Sequence, residues 1–186
     1  ISFLRLWRLG RDFWIAVAAA AAVLLFGVLN GMLIAVAVSL IAMLRRLVAP
    51  RMVALGRLPG SQSFVDMSRH PEAETPAGLT LLRPSEPLFF GNAAPILALV
   101  AEKVAASRAA KAVVLSLEET FDLDSSALDE LLAFDRTMRR AGVRLQLARV
   151  HDHVRDVLAA AEAHDLIARS SYSVADAVAA LEVRAA

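Results

Sequence analysis

The stretch FWIAVAAAAAVLLFGVLNGMLIAVAVSLIAML, Phe13 to Leu44, decides the architecture. It carries no charged residue, and its length marks a membrane-embedded segment rather than the helix of a soluble core. As one straight helix it would run about 48 Å at about 1.5 Å per residue, well beyond a hydrocarbon core of about 30 Å. A break is therefore expected. Gly27-Val28-Leu29-Asn30-Gly31 offers it near the middle, because two glycines and an asparagine weaken the helix and supply turn chemistry. Two short helices result, over 13–29 and 31–46. Each has about 15 residues, short of the roughly 17 to 25 of an ordinary span. Backbone that turns at membrane depth is tolerated only when protein or a cavity surrounds it, so the pair reads as part of a larger membrane bundle.

Both flanks of this stretch are basic. Arg5, Arg8 and Arg11 precede it, and Arg45, Arg46, Arg51 and Arg57 follow it. Positive charge marks the cytoplasmic side, so both ends belong there, which requires an even number of passes or a re-entrant pair. Residues 1–49 are thus expected to form part of a larger multi-pass membrane bundle, with the lipid bilayer as partner. Trp7 and Trp14 would sit at headgroup level, and Gly27-x-x-x-Gly31 fits a small-residue packing motif. Length disfavours a secretory signal, the alternative for an N-terminal apolar run, since its apolar core spans only about 7 to 15 residues. The chain begins at Ile1 without methionine, which suggests a C-terminal piece of something longer.

Composition separates a lipid part from a water part: 58% of residues are hydrophobic, yet 21% are charged. With no cysteine there is neither a disulfide framework nor a thiolate metal site, which suits a cytosol-facing domain. A net charge of +1 makes no case for a nucleic-acid partner.

From Pro50 the composition changes. Pro50, Pro59, Pro71 and Pro76, with Ser61-Gln62-Ser63, mark a linker over 50–63, and a second domain over 64–186 follows. Phe64 to Met67 suits a short edge strand, and Pro71 to Gly78 an exposed loop. Leu79 to Leu82 and Leu88 to Phe90 read as strands joined by a tight turn containing Pro84 and Pro87. Asn92 can cap a helix over Ala93 to Ser107, with Ile96, Leu97, Val100 and Val104 at helical spacing. Ala112 to Leu117 is an unbroken apolar run, expected of a buried central strand. Ser125 to Arg140 follows as a helix with a stripe of Leu128, Leu131, Leu132, Phe134 and Met138, and Gly142 lies just past its end. Arg144 to Ala148 is again a strand, and His151 to Ala163 and Ser173 to Leu181 are amphipathic helices. Alternating strand and helix implies an α/β domain whose mostly parallel sheet is packed by helices.

At Thr120 to Leu128, TFDLDSSAL, a buried strand ends in acidic residues and Asp-Ser-Ser opens a helix. The segment resembles the signature of STAS domains, the modules shared by sulfate transporters and anti-sigma factor antagonists. Leu55 to Glu74 (LGRLPGSQSFVDMSRHPEAE), Leu81 to Ala93 (LLRPSEPLFFGNA) and Arg144 to Leu158 (RLQLARVHDHVRDVL) narrow the resemblance to the SulP family of anion transporters. In that family two short apolar helices end the membrane domain directly before a cytoplasmic STAS domain, and Phe13 to Leu44 matches them in place and character. The resemblance implies the C-terminal portion of a secondary transporter for sulfate, bicarbonate or a dicarboxylate. It implies a homodimer, an unidentified cytoplasmic regulatory protein as partner, and no cofactor. It places the anion site upstream of these helices, so no substrate-binding residue falls in this chain. The alternative is a free-standing, membrane-anchored STAS regulatory module that binds a protein partner as the antagonists do.

Asp124, Ser125 and Ser126 are the candidate site residues. In the antagonists the serine after the aspartate is phosphorylated, and Ser125 holds that position. Phosphate there would add about −1.5 to −2 charge at a helix N-terminus. The helix dipole favours this charge, whereas Asp122, Asp124 and Asp129 oppose it. The plainer reading makes Ser125 or Ser126 the N-cap, since Ser126-Ala127-Leu128-Asp129 also matches a capping box. Ala127 departs from the glycine usual in the antagonists. Other clusters carry less. In His151-Asp152-His153 the histidines are two apart and share no helix face, so no metal site is expected. Glu118, Glu119, Asp122 and Asp124 form an acidic rim where open α/β sheets place ligands, but no Gly-rich phosphate loop follows the strand. No Ser/His/Asp order or paired carboxylate supports an enzyme.

Overall fold

The computed structural model describes residues 11–107 and 110–183. Trp7 and the flanking Arg5 and Arg8 lie outside the described residues, as does the side chain of Trp14. The chain divides into two compact units, the first ending at Ala49 and the second starting at Pro50.

In the first unit, helix α1 runs Arg11–Val48 and is interrupted at Gly27, whose φ of 78° and ψ of 166° are non-helical. The interruption lies within the expected Gly27–Gly31 stretch, and it moves the boundary between the expected helices over 13–29 and 31–46 back to Gly27. The break falls at one glycine, in a backbone region open essentially to glycine alone, while Asn30 and Gly31 continue the helix. It also corrects the half-length argument for the second segment: Gly27–Arg45 is 19 residues long with mean hydropathy 2.3. At about 1.5 Å per residue that is about 28 Å, long and apolar enough to cross a membrane.

The second unit is an α/β domain built on a six-stranded sheet. The strands are β1 (Met52–Arg57), β2 (Phe64–Asp66), β3 (Leu79–Pro84), β4 (Ala112–Ser116), β5 (Arg144–Ala148) and β6 (Ser170–Ser171), in spatial order β2-β1-β3-β4-β5-β6. β3 to β6 are mutually parallel, and β1 is antiparallel to both β2 and β3. The sheet is mostly parallel, as its alternating strand and helix pattern predicted. The helices are α2 (Ala93–Ala106), α3 (Ser125–Arg140), α4 (Asp152–Ala160), α5 (His164–Ala168) and α6 (Val174–Glu182).

Alternation along β4 shows how the layers form. Val113, Leu115 and Leu117 face a core shared with α2, α3, α4 and α5, while Ala112 and Val114 face a smaller core closed by α6. All five residues of β4 are buried, so this strand has water on neither face. The larger core includes Ile96, Leu131, Leu145 and Leu158, each fully buried. Burial of such a side chain contributes about 1.5 to 3 kcal/mol.

Three differences from the expected elements have local causes. Met52–Arg57 lies inside the expected linker, yet it is the strand that joins β2 to β3. Its alternation is masked because Leu55 and Gly56 are both buried, and a Cβ on Gly56 would meet the Ala73 carbonyl carbon at 3.0 Å. Leu88 to Phe90 is no strand. The Leu88 amide donates to Thr120 Oγ1 at 3.1 Å, the Phe89 amide to Asn92 Oδ1 at 3.0 Å, and Asn92 Nδ2 to the Pro87 carbonyl at 2.8 Å. These bonds hold the segment as a loop, and they occupy Asn92 with the loop, so its side chain makes no cap bond to α2. The helix expected to reach Ala163 ends at Ala160, because Glu162 takes φ 55°. Its amide and that of Ala163 donate back to Ala159 and Leu158. Gly142 closes α3 the same way, with φ 72°. At Glu162 no glycine announces the stop, so α5 and β6 were not foreseen.

Candidate functional site

The parallel strands end at one edge of the sheet, and there the loops after β3, β4, β5 and β6 converge. The Asp-Ser-Ser segment lies at this edge. Asp124 is the N-cap of α3, accepting the Ala127 amide on Oδ1 at 2.9 Å and the Phe90 amide on Oδ2 at 2.7 Å. The cap is therefore Asp124 rather than Ser125 or Ser126, and each of its two carboxylate oxygens accepts one of the two amides. Ser125 and Ser126 occupy the first two helical positions, and both are exposed.

Three of the four residues read as an acidic rim, Glu118, Asp122 and Asp124, have partners of their own. Glu118 accepts Arg83 Nη1 at 3.0 Å on one oxygen and Arg149 Nη2 at 2.9 Å on the other. Asp122 faces His153 Nε2 at 3.2 Å, and Asp124 is spent on the cap. His151 and His153 diverge: His151 stacks on Phe121 with ring centroids 4.5 Å apart and contacts the Glu118 carbonyl at 3.0 Å. Between them Asp152 accepts the Tyr172 hydroxyl at 2.9 Å. That bond holds the Tyr172 phenol above its ordinary pKa, with the Asp152 charge acting the same way. Arg155 lies over the same ring at 4.1 Å. Among the described residues no group of three His, Cys, Asp or Glu side chains could hold a metal.

Arg83, Arg149 and Tyr172 are the residues that sequence reading missed. Arg83 is the penultimate residue of β3, on the face of α6, and Arg149 turns off β5 with φ 56°, a left-handed conformation uncommon for a long side chain. The pair meets on Glu118 only through tertiary structure. The strain at Arg149 had no sequence signal, since no glycine or asparagine marks it. Phe121, Arg149, His151, Asp152, Tyr172 and Glu118 enclose an open cleft of about 430 Å³.

Behind this edge a second ion-pair group ties α3 to β5. Asp135, nearly buried, receives Arg169 Nη1 at 2.8 Å and Nη2 at 3.0 Å, and Arg139 Nε at 2.8 Å. Arg169 also donates to the Leu145 carbonyl at 2.8 Å. Burial pushes the Asp135 carboxyl up, but the hydrogen bonds and charges of Arg169 and Arg139 outweigh it and hold the group below its ordinary pKa.

A mostly parallel sheet with helices on both faces, and an Asp-Ser-Ser helix start at the end of its central strand, define a STAS-type α/β module. Residues 70–177 match the STAS domain family, and the chain belongs to that family. It is 35% identical over 167 residues to a probable sulfate transporter of Mycobacterium tuberculosis, covering 89% of this chain and 30% of the relative. It is 29% identical over 180 residues to probable sulfate transporter 4.2 of Arabidopsis thaliana, covering 91% of this chain and 27% of the relative. The chain thus spans about 30% of the length of the curated relatives it matches. Among solved structures, the murine Solute Carrier 26 family member A9 anion transporter superposes with a TM-score of 0.82 at 20% identity, covering 97% of this chain and 30% of that one. A sulfate transporter family protein from Wolinella succinogenes gives 0.52 at 18% identity, over 64% of this chain and 97% of that one. These structural likenesses concern the fold.

Proposed function

We propose that this chain is the C-terminal portion of a SulP-type secondary anion transporter, with the apolar unit at the end of the membrane domain and the STAS domain in the cytosol. One observation carries the reading: likeness to sulfate transporters runs through 89% of the chain, from the apolar unit into the STAS domain. A STAS-only regulator would share the second part alone. The substrate is a small oxyanion of the sulfate, bicarbonate or dicarboxylate class, taken up through a transport core outside this chain. The host is the inner membrane, the assembly a homodimer, and the role of the STAS domain regulation or assembly rather than catalysis.

Uptake tests the reading. The complete gene product in a strain lacking sulfate uptake should accumulate labelled sulfate, bicarbonate or dicarboxylate above the empty vector. Absence of uptake of all three would leave a membrane-anchored STAS module that binds a protein partner. Ser125 is the position at which regulation would act. It is exposed beside the Asp124 cap, where a phosphate would meet the helix N-terminus and, against it, Asp122 and Asp129. Ser125→Asp should alter uptake or partner binding of the intact protein, and unchanged values of both would remove the switch.

A further inference from the structure

On the α6 face of the sheet a groove of about 280 Å³ runs beside the Arg83–Glu118–Arg149 bridge, and its walls include Leu55, Ser63, Phe64 and the opening of α6 at Ser173, Val174 and Ala175. We propose that this groove is a binding site for an oxyanion, inorganic or carried on a small organic body.

Charge and donor count favour an anion. Two guanidiniums share one carboxylate, and among the described residues Glu118 is the sole acidic one lining the groove, so the cluster carries one unbalanced positive charge. Glu118 takes a single nitrogen from each arginine. A guanidinium offers five N–H donors in a planar fork, so each retains donors suited to a second oxyanion. Glu118 also fixes both forks in place before any ligand arrives, which lowers the ordering cost of binding.

A second observation lies in β4. Ser116 is 1% exposed and its Oγ has no hydrogen-bond partner among the described residues. Alternation along β4 points it to the same face as Ala112 and Val114, the face closed by α6. It sits opposite Ala148 in β5, one residue past the Leu82–Leu115 pair that aligns β3, and therefore beside Arg83. A buried hydroxyl without a partner is costly unless something polar reaches it. At the groove wall Ser173 uses its oxygen to accept the Asp176 amide at 3.0 Å, which leaves its hydroxyl proton to donate. The amides of Val174 and Ala175 belong to the first helical turn, whose N–H groups have no intrahelical acceptor. The apolar walls leave room for an organic body behind the anionic head.

The test is titration calorimetry on the full 186-residue chain in detergent, at constant ionic strength set with sodium chloride, using sodium sulfate, sodium phosphate and butyl phosphate as probes. Saturable heat is expected with at least one probe. Tighter binding of butyl phosphate than of inorganic phosphate would identify an organic oxyanion as the source, and equal or weaker binding a free one. Arg149→Gln, at a half-exposed side chain, and Arg83→Gln should each weaken binding about tenfold or more, while Arg140→Gln, exposed at the far end of α3, should not. Thermal melts report whether each variant folds, and Arg149→Gln alone decides the matter if Arg83→Gln does not. No saturable heat with any probe, or unchanged affinity in a folded Arg149→Gln chain, would overturn the proposal. Neither outcome depends on transport, which the uptake assay measures separately.

Discussion

The Asp124 carboxylate binds the Phe90 amide at 2.7 Å across 34 residues of sequence while its other oxygen caps α3. One side chain thus fixes the loop after β3 to the helix that follows β4. Its position in the signature has a structural cause before it has a regulatory one.

Asp124→Ala removes both acceptors and leaves two amides to find water. The expected cost is about 2 kcal/mol, a cap of about 1 kcal/mol plus a comparable loss for the second bond. Asp124→Asn, which keeps one acceptor oxygen, should cost less. Urea unfolding of the two variants checks the order, and equal stability of Asp124→Ala and wild type would show that neither bond contributes.

The Asp135–Arg169 pair predicts an acid-dependent term. Asp135 titrates lower when folded than its ordinary value of 3.8, so the carboxylate stabilises the fold above that ordinary value. That contribution is lost as pH falls through the lower folded value. Asp135→Asn should cost about 3 kcal/mol at neutral pH, because Arg169 is then left half-compensated against a buried carbonyl. The difference from wild type should shrink below about pH 4, read from denaturation at a series of pH values. A constant difference down to pH 2 would contradict the assignment.

Gly56 tests the close packing under β1. A Cβ there would lie 2.9 Å from Met67 Cγ and 3.0 Å from both the carbonyl carbon and the Cβ of Ala73. Met67 can move, whereas the backbone of Ala73 cannot move cheaply. Gly56→Ala should therefore destabilise the domain by about 1 to 3 kcal/mol, seen as a lower urea midpoint.

Gly27 tests the interruption of α1. Space is not the constraint, since among the described residues nothing lies within 4 Å of a Cβ built there. The constraint is its φ of 78° with ψ 166°, which costs a residue with a side chain about 1 to 3 kcal/mol. Gly27→Ala should favour an uninterrupted helix. Spin labels at Val17 and Val38 should then move apart toward about 31 Å, the separation in a straight helix, and an unchanged distance would show that the break has another cause.

Much of this was legible because it is local. An uncharged run at Phe13–Leu44, an apolar run at Ala112, a strand-like stretch at Arg144 and 3.6-residue stripes in α2 and α3 are each readable locally, so chain order alone implied a mostly parallel sheet. The Asp-Ser-Ser helix start was equally readable, although which of the three residues caps the helix was not, because Phe90 enters that decision from a distant loop. What the sequence determined was the two-part layout and the elements β3, α2, β4, α3, β5 and α6, since hydrophobic period is written residue by residue. What only tertiary structure decided was the strand in the apparent linker, the helix stop at Glu162, and the meeting of Arg83 and Arg149 on Glu118. Each depends on groups brought together from separate strands and loops, and their interaction energies exist only once the sheet has formed.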